Sequence, residues 1–306
     1  MASLRDIRTR IASVKNTQQV TRAMKMVAAS KLRRAQEAIF SSRPYAYKIR
    51  EMIEQLRGEV DPAESGIPPA REKIDRALIV VVTADRGLAG AFNTNVIKTA
   101  EQLITAEFAT LKETGDLDLV CVGRKGHEYF GKRGYSLVGD YRGLFNDLTF
   151  EGASGIVEVL IDGYVSGRWD KVVVVYNEFR NTIAQNRIVE PFLPVPEFFQ
   201  TPVMEKSEDY RSPDSEVKDL DYIFEPAVAK MAWPLLMRYL DFQMWRILLE
   251  SNASEQGARM VAMDNATTNA GELLTELHLH YNQARQAAIT KEILEISSGA
   301  EALAQG

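Results

Sequence analysis

The C-terminal run from Ser254 to Leu303 constrains the fold of this chain more than any other stretch, because it contains no proline. An uninterrupted run of this length predicts a single long helix. Small and apolar residues recur in it at steps of three and four, a spacing that forms one seam along a helix that supercoils around a partner. The predicted seam consists of Met263, Ala266, Ala270, Leu273, Leu277, His280, Ala284 and Ala287. Its alanines allow a second helix to approach closely.

The N-terminal segment from Ser3 to Arg57 supplies a candidate partner helix, and Pro44 is its single proline. Its predicted seam consists of Leu4, Ile7, Ile11, Val14, Ala28, Leu32, Ala35 and Ile39. In the middle, Gln18, Thr21 and Lys25 interrupt the seam, which predicts a phase slip with Val20, Met24 and Val27 as an alternative stripe. Two long helices at opposite ends of a chain most simply pair as an antiparallel coiled coil. The alternative is two ordinary amphipathic helices packed on a central domain.

The middle of the chain has the pattern of an α/β domain. Continuous apolar runs predict buried strands at Ala77 to Ala84, Leu117 to Val122 and Lys171 to Tyr176, with helical stretches between them. Alternating strands and helices favour a mostly parallel, Rossmann-like sheet. Residues from Asn177 to Pro191 are expected to turn back as an antiparallel pair.

The predicted fold class is therefore α/β: a long antiparallel coiled coil of N- and C-terminal helices plus a central Rossmann-like α/β domain. We call the two long helices the shaft helices. The predicted domains are an N-terminal shaft helix at 1–57, a linker rich in Pro, Gly and charge at 58–76, the central α/β domain at 77–225 and a C-terminal shaft helix at 226–306. Pro226 suits a helix N-terminus. Pro234 either kinks that helix or marks its true start.

An α/β sheet raises the possibility of a nucleotide site, and one segment has the spacing of a phosphate-binding loop. In GRKGHEYFGKRG, Gly126, Gly131 and Lys132 match that spacing, but Arg133 stands where the magnesium-binding Ser or Thr belongs. The bulky residues from His127 to Phe130 suit a helix better than a phosphate cradle. Asp85 and Arg86 follow the first strand, and without a nucleophile nearby they indicate a turn and a surface ion pair.

Other chemistry is sparse. His278 and His280 are two residues apart on a helix, so they face different directions and do not form a metal pair. Cys121 lies in the apolar run LDLVCVG, which indicates a buried structural thiol. We expect no catalytic residue, no cofactor and no metal site.

Charge is unevenly distributed. The first 57 residues carry 13 Lys and Arg against 4 Asp and Glu, a net charge of +9 in a chain whose total is −5. A basic helix can bind nucleic acid, anionic lipid or acidic protein loops, or it can simply present a solvated face. Nucleic acid is disfavoured, because no aromatic residue occurs among the basic residues before Phe40.

No run approaches the ~20 apolar residues that span a bilayer. The N-terminal stretch MASLRDIRTR lacks the apolar core of a signal peptide. We therefore expect a cytosolic or peripheral protein without direct membrane insertion.

Several long motifs resemble the gamma subunit family of F-type ATP synthases. They are IRTRIASVKNTQQVTRAMKMVAASKLRRAQ (Ile7 to Gln36), TADRGLAGAFN (Thr83 to Asn93), ASEQGARMVAMDNATTNA and YNQARQAAITKEILEISSGAEAL. The similarity runs from the first residues to the last and is looser in the middle.

This resemblance implies a non-catalytic subunit that couples ion-driven rotation to ATP synthesis or hydrolysis. The coiled coil would be a central stalk inside a hexamer of alpha and beta subunits, and the α/β domain would lie against epsilon and the c-ring, at the cytoplasmic face of a bacterial membrane. Residues touching beta loops would include Met24, Arg259, Arg285, Gln286 and Thr290, and Gln18, Thr21 and Lys25 would add polar surface toward the hexamer. Chloroplast members carry a regulatory cysteine pair, whereas this chain has Cys121 alone.

Two other classes of function remain open at this point. One is a coiled-coil scaffold or adaptor for another complex, which would purify with a different set of chains. The other is a nucleotide-binding enzyme with helical extensions, which would bind or turn over nucleotide when isolated.

Overall fold

The computed structural model describes residues 4–56, 68–182, 184–195 and 228–304. In chain order these form α1 (Leu4–Leu56), β1 (Ala77–Val82), α2 (Phe92–Glu107), α3 (Ala109–Thr114), β2 (Leu117–Val122), α4 (Arg124–Gly131), β3 (Ser136–Leu137), a 3₁₀ turn (Leu144–Asn146), α5 (Phe150–Val165), β4 (Lys171–Phe179), β5 (Gln185–Leu193) and α6 (Val228–Ala304). Part of the predicted linker, the predicted boundary at 225 and Pro226 lie outside the described residues.

The chain divides into two compact units. The coil unit comprises residues 1–29 and 259–306, and the sheet unit comprises residues 30–258. Both long helices contain an internal proline, Pro44 in α1 and Pro234 in α6. Because α6 is already helical from Val228, Pro234 does not mark the start of the helix.

The sheet unit contains a five-stranded sheet in the order β3-β2-β1-β4-β5. Strand β1 pairs in parallel with β2 and β4, so that Val81 lies opposite both Cys121 and Val175. Strand β5 runs antiparallel to β4. The predicted mixed α/β fold with a mainly parallel sheet is confirmed. Asn177 continues β4, and the reversal comes after Phe179, because the strand keeps its pairing partners up to that residue.

Both faces of this sheet are covered, which explains its uninterrupted apolar strands. Leu78, Val80 and Val82 point into a core shared with α5, with Ile49 and Ile53 of α1 and with the first part of α6. The intervening residues Ala77, Ile79 and Val81 point into a second core against α2 and α4. The alternation follows from the two-residue period of a strand.

Helix α5 closes one side of the sheet through a close packing contact. Its N-terminus is capped by Thr149, whose side chain accepts a hydrogen bond from the backbone N–H of Gly152 at 3.2 Å. Near its C-terminus, Trp169 lies directly over Gly163, so that an added Cβ would stand 1.8 Å from the indole ring. The indole N–H is satisfied by Asp118, at 2.9 Å.

Candidate partner-binding surface

In the coil unit, α1 and α6 form an antiparallel pair. Arg8 donates to the Tyr281 hydroxyl at 2.8 Å, the hydroxyls of Thr21 and Thr267 are 2.8 Å apart, and Lys25 donates to Asp264 at 2.5 Å. Residue numbers rise along one helix as they fall along the other. The predicted antiparallel coiled coil is therefore confirmed.

The seam of α1 is continuous, and the predicted phase slip is wrong. Thr21 is 9% exposed, whereas Val20 and Val27 of the proposed alternative stripe are each 57% exposed. The polar residues stay in the seam because α6 offers them partners: Thr267 bonds Thr21, and its carbonyl accepts from the Gln18 amide at 3.5 Å. Thr21 is therefore buried between the helices, and its interpretation as polar surface toward a surrounding hexamer is wrong. Lys25 keeps 40% of its side chain exposed and remains on the surface beside Asp264.

The seam of α6 follows the prediction only in its first half. Met263, Ala270 and Leu277 are buried as expected, but His280 and Ala287 are exposed while the neighbouring Tyr281 and Ala288 are half-buried. Ala284 is half-buried as predicted, so the seven-residue spacing from Leu277 is kept. Between these positions the seam takes the residue one place later than predicted: Tyr281 in place of His280, and Ala288 in place of Ala287.

The predicted partner-contact residues fall into two groups. Met24 is half-buried next to Lys25, and Arg259 is 9% exposed, five positions before the Asp264 partner of Lys25. Arg285, Gln286 and Thr290 are exposed on α6, beyond Tyr281.

The coil unit also exposes large apolar side chains, which sequence reasoning did not assign to a surface. Exposed apolar residues that form a contiguous patch are typical of contact surfaces. On α6 they continue past the seam, where exposure rises to 73% at Ile296. The signal in the sequence was apolar residues that the seam does not use. The exposed set is Val20, Met26 and Val27 on α1 and Leu279, Ile289, Ile293, Leu294 and Ile296 on α6.

Exposed basic side chains also occur on the coil unit. They include Arg5, Arg10, Lys15 and Arg22 of α1. A positively charged helix surface is suited to a protein partner with acidic loops.

The segment GRKGHEYFGKRG, whose glycines have the spacing of a phosphate-binding loop, does not form such a loop in the structure. Residues Arg124–Gly131 form helix α4, as their bulky side chains predicted. Gly126 lies against Thr83, whose hydroxyl accepts the Gly126 N–H at 2.8 Å. Gly126 therefore serves the close packing of α4 against Thr83, directly after β1.

Asp85 occupies the end of α4 where an anion would bind. One of its carboxylate oxygens accepts the backbone N–H of Arg124 at 3.0 Å and that of Gly143 at 2.7 Å. Helix N-termini attract anions through their free N–H groups and dipole. The aspartate anchors two loops at this position, which corrects its interpretation as a member of a surface ion pair with Arg86.

Within the described ranges, no three His, Cys, Asp or Glu side chains are grouped so that they could hold a metal ion. In the same residues no helix has the length and apolarity needed to cross a membrane. His278 and His280 are both exposed. Cys121 is 5% exposed, which confirms its predicted burial.

Comparison with known proteins places this fold in a family. The family described as ATP synthase matches residues 3–303. The ATP synthase gamma chain of Salinibacter ruber is 57% identical over 304 residues, with 99% of both chains covered. That of Chloroherpeton thalassium is 49% identical over 305 residues, covering all of this chain and 99% of the relative.

Solved structures agree at the level of the fold. A chain of the Euglena gracilis mitochondrial ATP synthase superposes with a TM-score of 0.63 and 20% identity, covering 98% of this chain and 94% of that one. A chain of the Tetrahymena thermophila mitochondrial ATP synthase, from its central stalk and c-ring, gives 0.55 and 23%, covering 81% and 99%. With a family match over nearly its whole length, and with relatives of this identity, the chain belongs to the ATP synthase gamma-chain family.

Proposed function

We propose that this chain is the central-stalk rotor subunit of a membrane F-type ATP synthase. In this role it couples ion-driven rotation to ATP synthesis or hydrolysis in a surrounding hexamer of alpha and beta subunits. The observation that carries the proposal is the coil unit: an antiparallel helix pair whose outward surface is apolar and basic, in a chain that belongs to the gamma-chain family. The same membership supports this function over a scaffold for another complex.

The mechanism follows from contact between an asymmetric shaft and identical neighbours. Each orientation of the coil unit presents a different set of side chains to each beta subunit. A contact that differs between two conformations of a beta subunit shifts the population toward the better-bound one. Because such coupling is reciprocal, nucleotide binding at beta pushes back on the shaft.

The residues we assign to contact with beta loops are Met24, Arg259, Arg285, Gln286 and Thr290. The last three are exposed on α6, beside the apolar residues from Ile289 to Ile296. Met24 and Arg259 lie deeper in the helix pair, so their contacts would be made through its edges.

We assign the sheet unit to contact with epsilon and the c-ring, at the cytoplasmic face of a bacterial membrane as a peripheral subunit. Catalysis is not a property of this chain in our proposal. Asp85 accepts a hydrogen bond at the N-terminus of α4, the position where a phosphate would bind. The residues with the spacing of a phosphate-binding loop form helix α4 instead.

The proposal is tested by purifying the chain alone and in combination with alpha and beta subunits. We expect no ATP hydrolysis by the isolated chain, and turnover with rotation of the chain once the hexamer has assembled around it. Turnover by a preparation free of alpha and beta would contradict the non-catalytic role. A native complex that contains this chain but lacks alpha and beta subunits would favour the scaffold function.

A further inference from the structure

A largely buried charge cluster joins α6 to strands β4 and β5 in the sheet unit. At its centre is Arg246 of α6, whose side chain is 16% exposed. Its two acidic partners are Glu190 of β5 at 18% and Glu250 of α6 at 9%. Ionic groups in such surroundings interact more strongly than in water, and they are costly to leave unpaired.

Each nitrogen of the Arg246 guanidinium has a partner. Nε donates to the Gln243 side chain at 3.0 Å, and Nη1 donates to the Tyr176 hydroxyl and to Glu250, both at 3.2 Å. Nη2 donates to the two carboxylate oxygens of Glu190, at 3.2 and 3.1 Å. The planar fork of an arginine holds such contacts in one orientation.

The strand side of the cluster is also fixed. The Tyr176 hydroxyl of β4 donates to Glu190 of β5 at 2.9 Å, so the two strands are joined at this point independently of Arg246. Burial raises the pKa of Tyr176, which keeps its proton available for this bond. Burial also raises the pKa of Glu250 against the attraction of Arg246, and Glu178 of β4 adds to the increase.

One further polar contact joins α6 to the sheet: the Gln185 side chain of β5 donates to the Ser254 carbonyl at 3.2 Å. Beside the cluster, α6 packs on the sheet through apolar side chains. Met244, Ile247 and Leu248 are buried in the core that includes Val172 and Val174. Hydrophobic burial depends on area and has no preferred direction. It holds α6 against the sheet but fixes the rotation of the helix about its own axis less sharply than directional hydrogen bonds do.

The cluster does define that angle. Side chains of a helix end roughly 5–6 Å from its axis. Normal N–H···O distances span only about 0.5 Å, so a turn of α6 by roughly 5° takes the Arg246 contacts out of range. The apolar contacts tolerate such a turn far better.

We propose that Arg246, with Tyr176, Glu190 and Glu250, is a rotational lock that stops α6 from turning against β4 and β5 when torque passes along the helix. The inference rests on the proposed function, because only a rotating chain carries torque. Helix α6 continues as one helix from Val228 to Ala304, so torque that enters the sheet unit through α6 passes this point. These four residues position the helix and have no part in ATP chemistry.

The test is a rotation assay on the chain assembled with immobilised alpha and beta subunits. A bead is attached to the sheet unit through Gln102→Cys, an exposed position on α2, in a Cys121→Ala background. Torque is measured with small beads and with large beads, which impose low and high viscous load. The lock variant is the triple substitution Arg246→Met, Glu190→Gln and Glu250→Gln.

All three charges are removed together because deleting one partner of a buried ion cluster leaves the others as unpaired buried charges. The control is Lys171→Met with Glu107→Gln. It removes a 3.3 Å ion pair in the same unit whose side chains are 27% and 53% exposed.

With small beads we expect wild type, control and lock variant to rotate at the same speed with the same ATP turnover. With large beads we expect the lock variant alone to lose torque, while its ATP turnover continues. A role limited to folding would lower assembly or speed at every load and would not separate turnover from torque. Wild-type torque for the lock variant at all loads would overturn the inference.

Tyr176→Phe gives a second test that does not depend on the triple variant folding. It deletes one hydroxyl and leaves all three charges, so we expect a smaller loss of torque, confined to the highest load. Where the triple variant does not assemble, unchanged torque in Tyr176→Phe overturns the lock. Failure of the wild-type chain to rotate would contradict the proposed function itself. Failure of the lock alone would instead leave wild-type rotation intact, so the two outcomes can be distinguished.

Discussion

At the scale of single residues, burial decides what each side chain can do, and apolar surroundings make burial predictable. Cys121 was predicted to be buried because its neighbours along the strand are apolar, and the structure places it opposite Val81 in the centre of the sheet. Thr21 and Gln18 were not predictable in the same way. Their place in the seam depends on Thr267, a residue 246 positions away from Thr21 that no local pattern identifies.

The surroundings of Cys121 lead to a prediction about its reactivity. Burial raises the pKa of its thiol to about 12, so at pH 8 the thiolate is a fraction of roughly 10⁻⁴, against about a quarter for a free cysteine. We expect the native chain to react with a thiol reagent at pH 8 several orders of magnitude more slowly than the chain in urea. Equal rates would show that the thiol is accessible.

The same residue bears on regulation of the assembled enzyme. We expect reductant to change ATP hydrolysis no differently in Cys121→Ala than in the wild type. Activation by a dithiol that disappears in that variant would indicate a disulfide with another subunit, against the observed burial.

At the scale of elements, continuous apolar runs identified the three central strands, because strands covered on both faces carry few polar residues. Strand β3 was missed. It has only two residues, Ser136 and Leu137, and its pairing with β2 depends on tertiary position rather than on pattern. In the second half of the α6 seam, Ala284 was predicted correctly, whereas His280 and Ala287 were chosen in place of their neighbours Tyr281 and Ala288. Two adjacent alanines give no local signal that distinguishes the buried one.

Helix α5 offers a matched pair of glycines for testing element packing. In Gly163→Ala the new methyl group collides with Trp169, and we expect a loss of roughly 1–3 kcal/mol in the free energy of unfolding. In Gly155→Ala nothing lies within 4 Å, and the higher helix propensity should stabilise the chain by ~0.5–1 kcal/mol.

Thermal or urea unfolding of the two variants measures both effects. The sign of the difference is the critical result. Unchanged stability in Gly163→Ala would mean that Trp169 moves aside easily. Lower stability in Gly155→Ala would mean that the added methyl group meets another part of the folded chain.

At the scale of the whole molecule, the two units use their apolar residues differently. In the sheet unit, apolar residues on both faces of the sheet form buried cores. In the coil unit, the part of α6 that follows Tyr281 carries a row of exposed apolar residues. The sequence indicated the fold of both units, but the exposed row became visible only when the seam was located.

Two truncations of α6 test the role of that row. Removal of the residues after Gly299 leaves Ile289, Ile293, Leu294 and Ile296 in place, so we expect coupled ATP synthesis to persist. Removal of everything from Ala284 deletes all four, together with Arg285, Gln286 and Thr290, and we expect coupling to be lost. Membrane vesicles carrying each variant supply the measurement. Equal losses in both would indicate that the final residues are a fixed anchor.

The long sequence separation between the residues that contact each other in the coil unit has a consequence for folding during translation. Arg8 bonds Tyr281, 273 positions later, and Lys25 bonds Asp264, 239 positions later. A ribosome adds roughly 5–20 residues per second, so the seam of the first helix emerges roughly 15–55 s before its partner exists. During that interval its apolar face has no native cover, whereas the sheet can already form. The coil therefore forms only near the end of translation, and the apolar seam of α1 stays uncovered until α6 has been made.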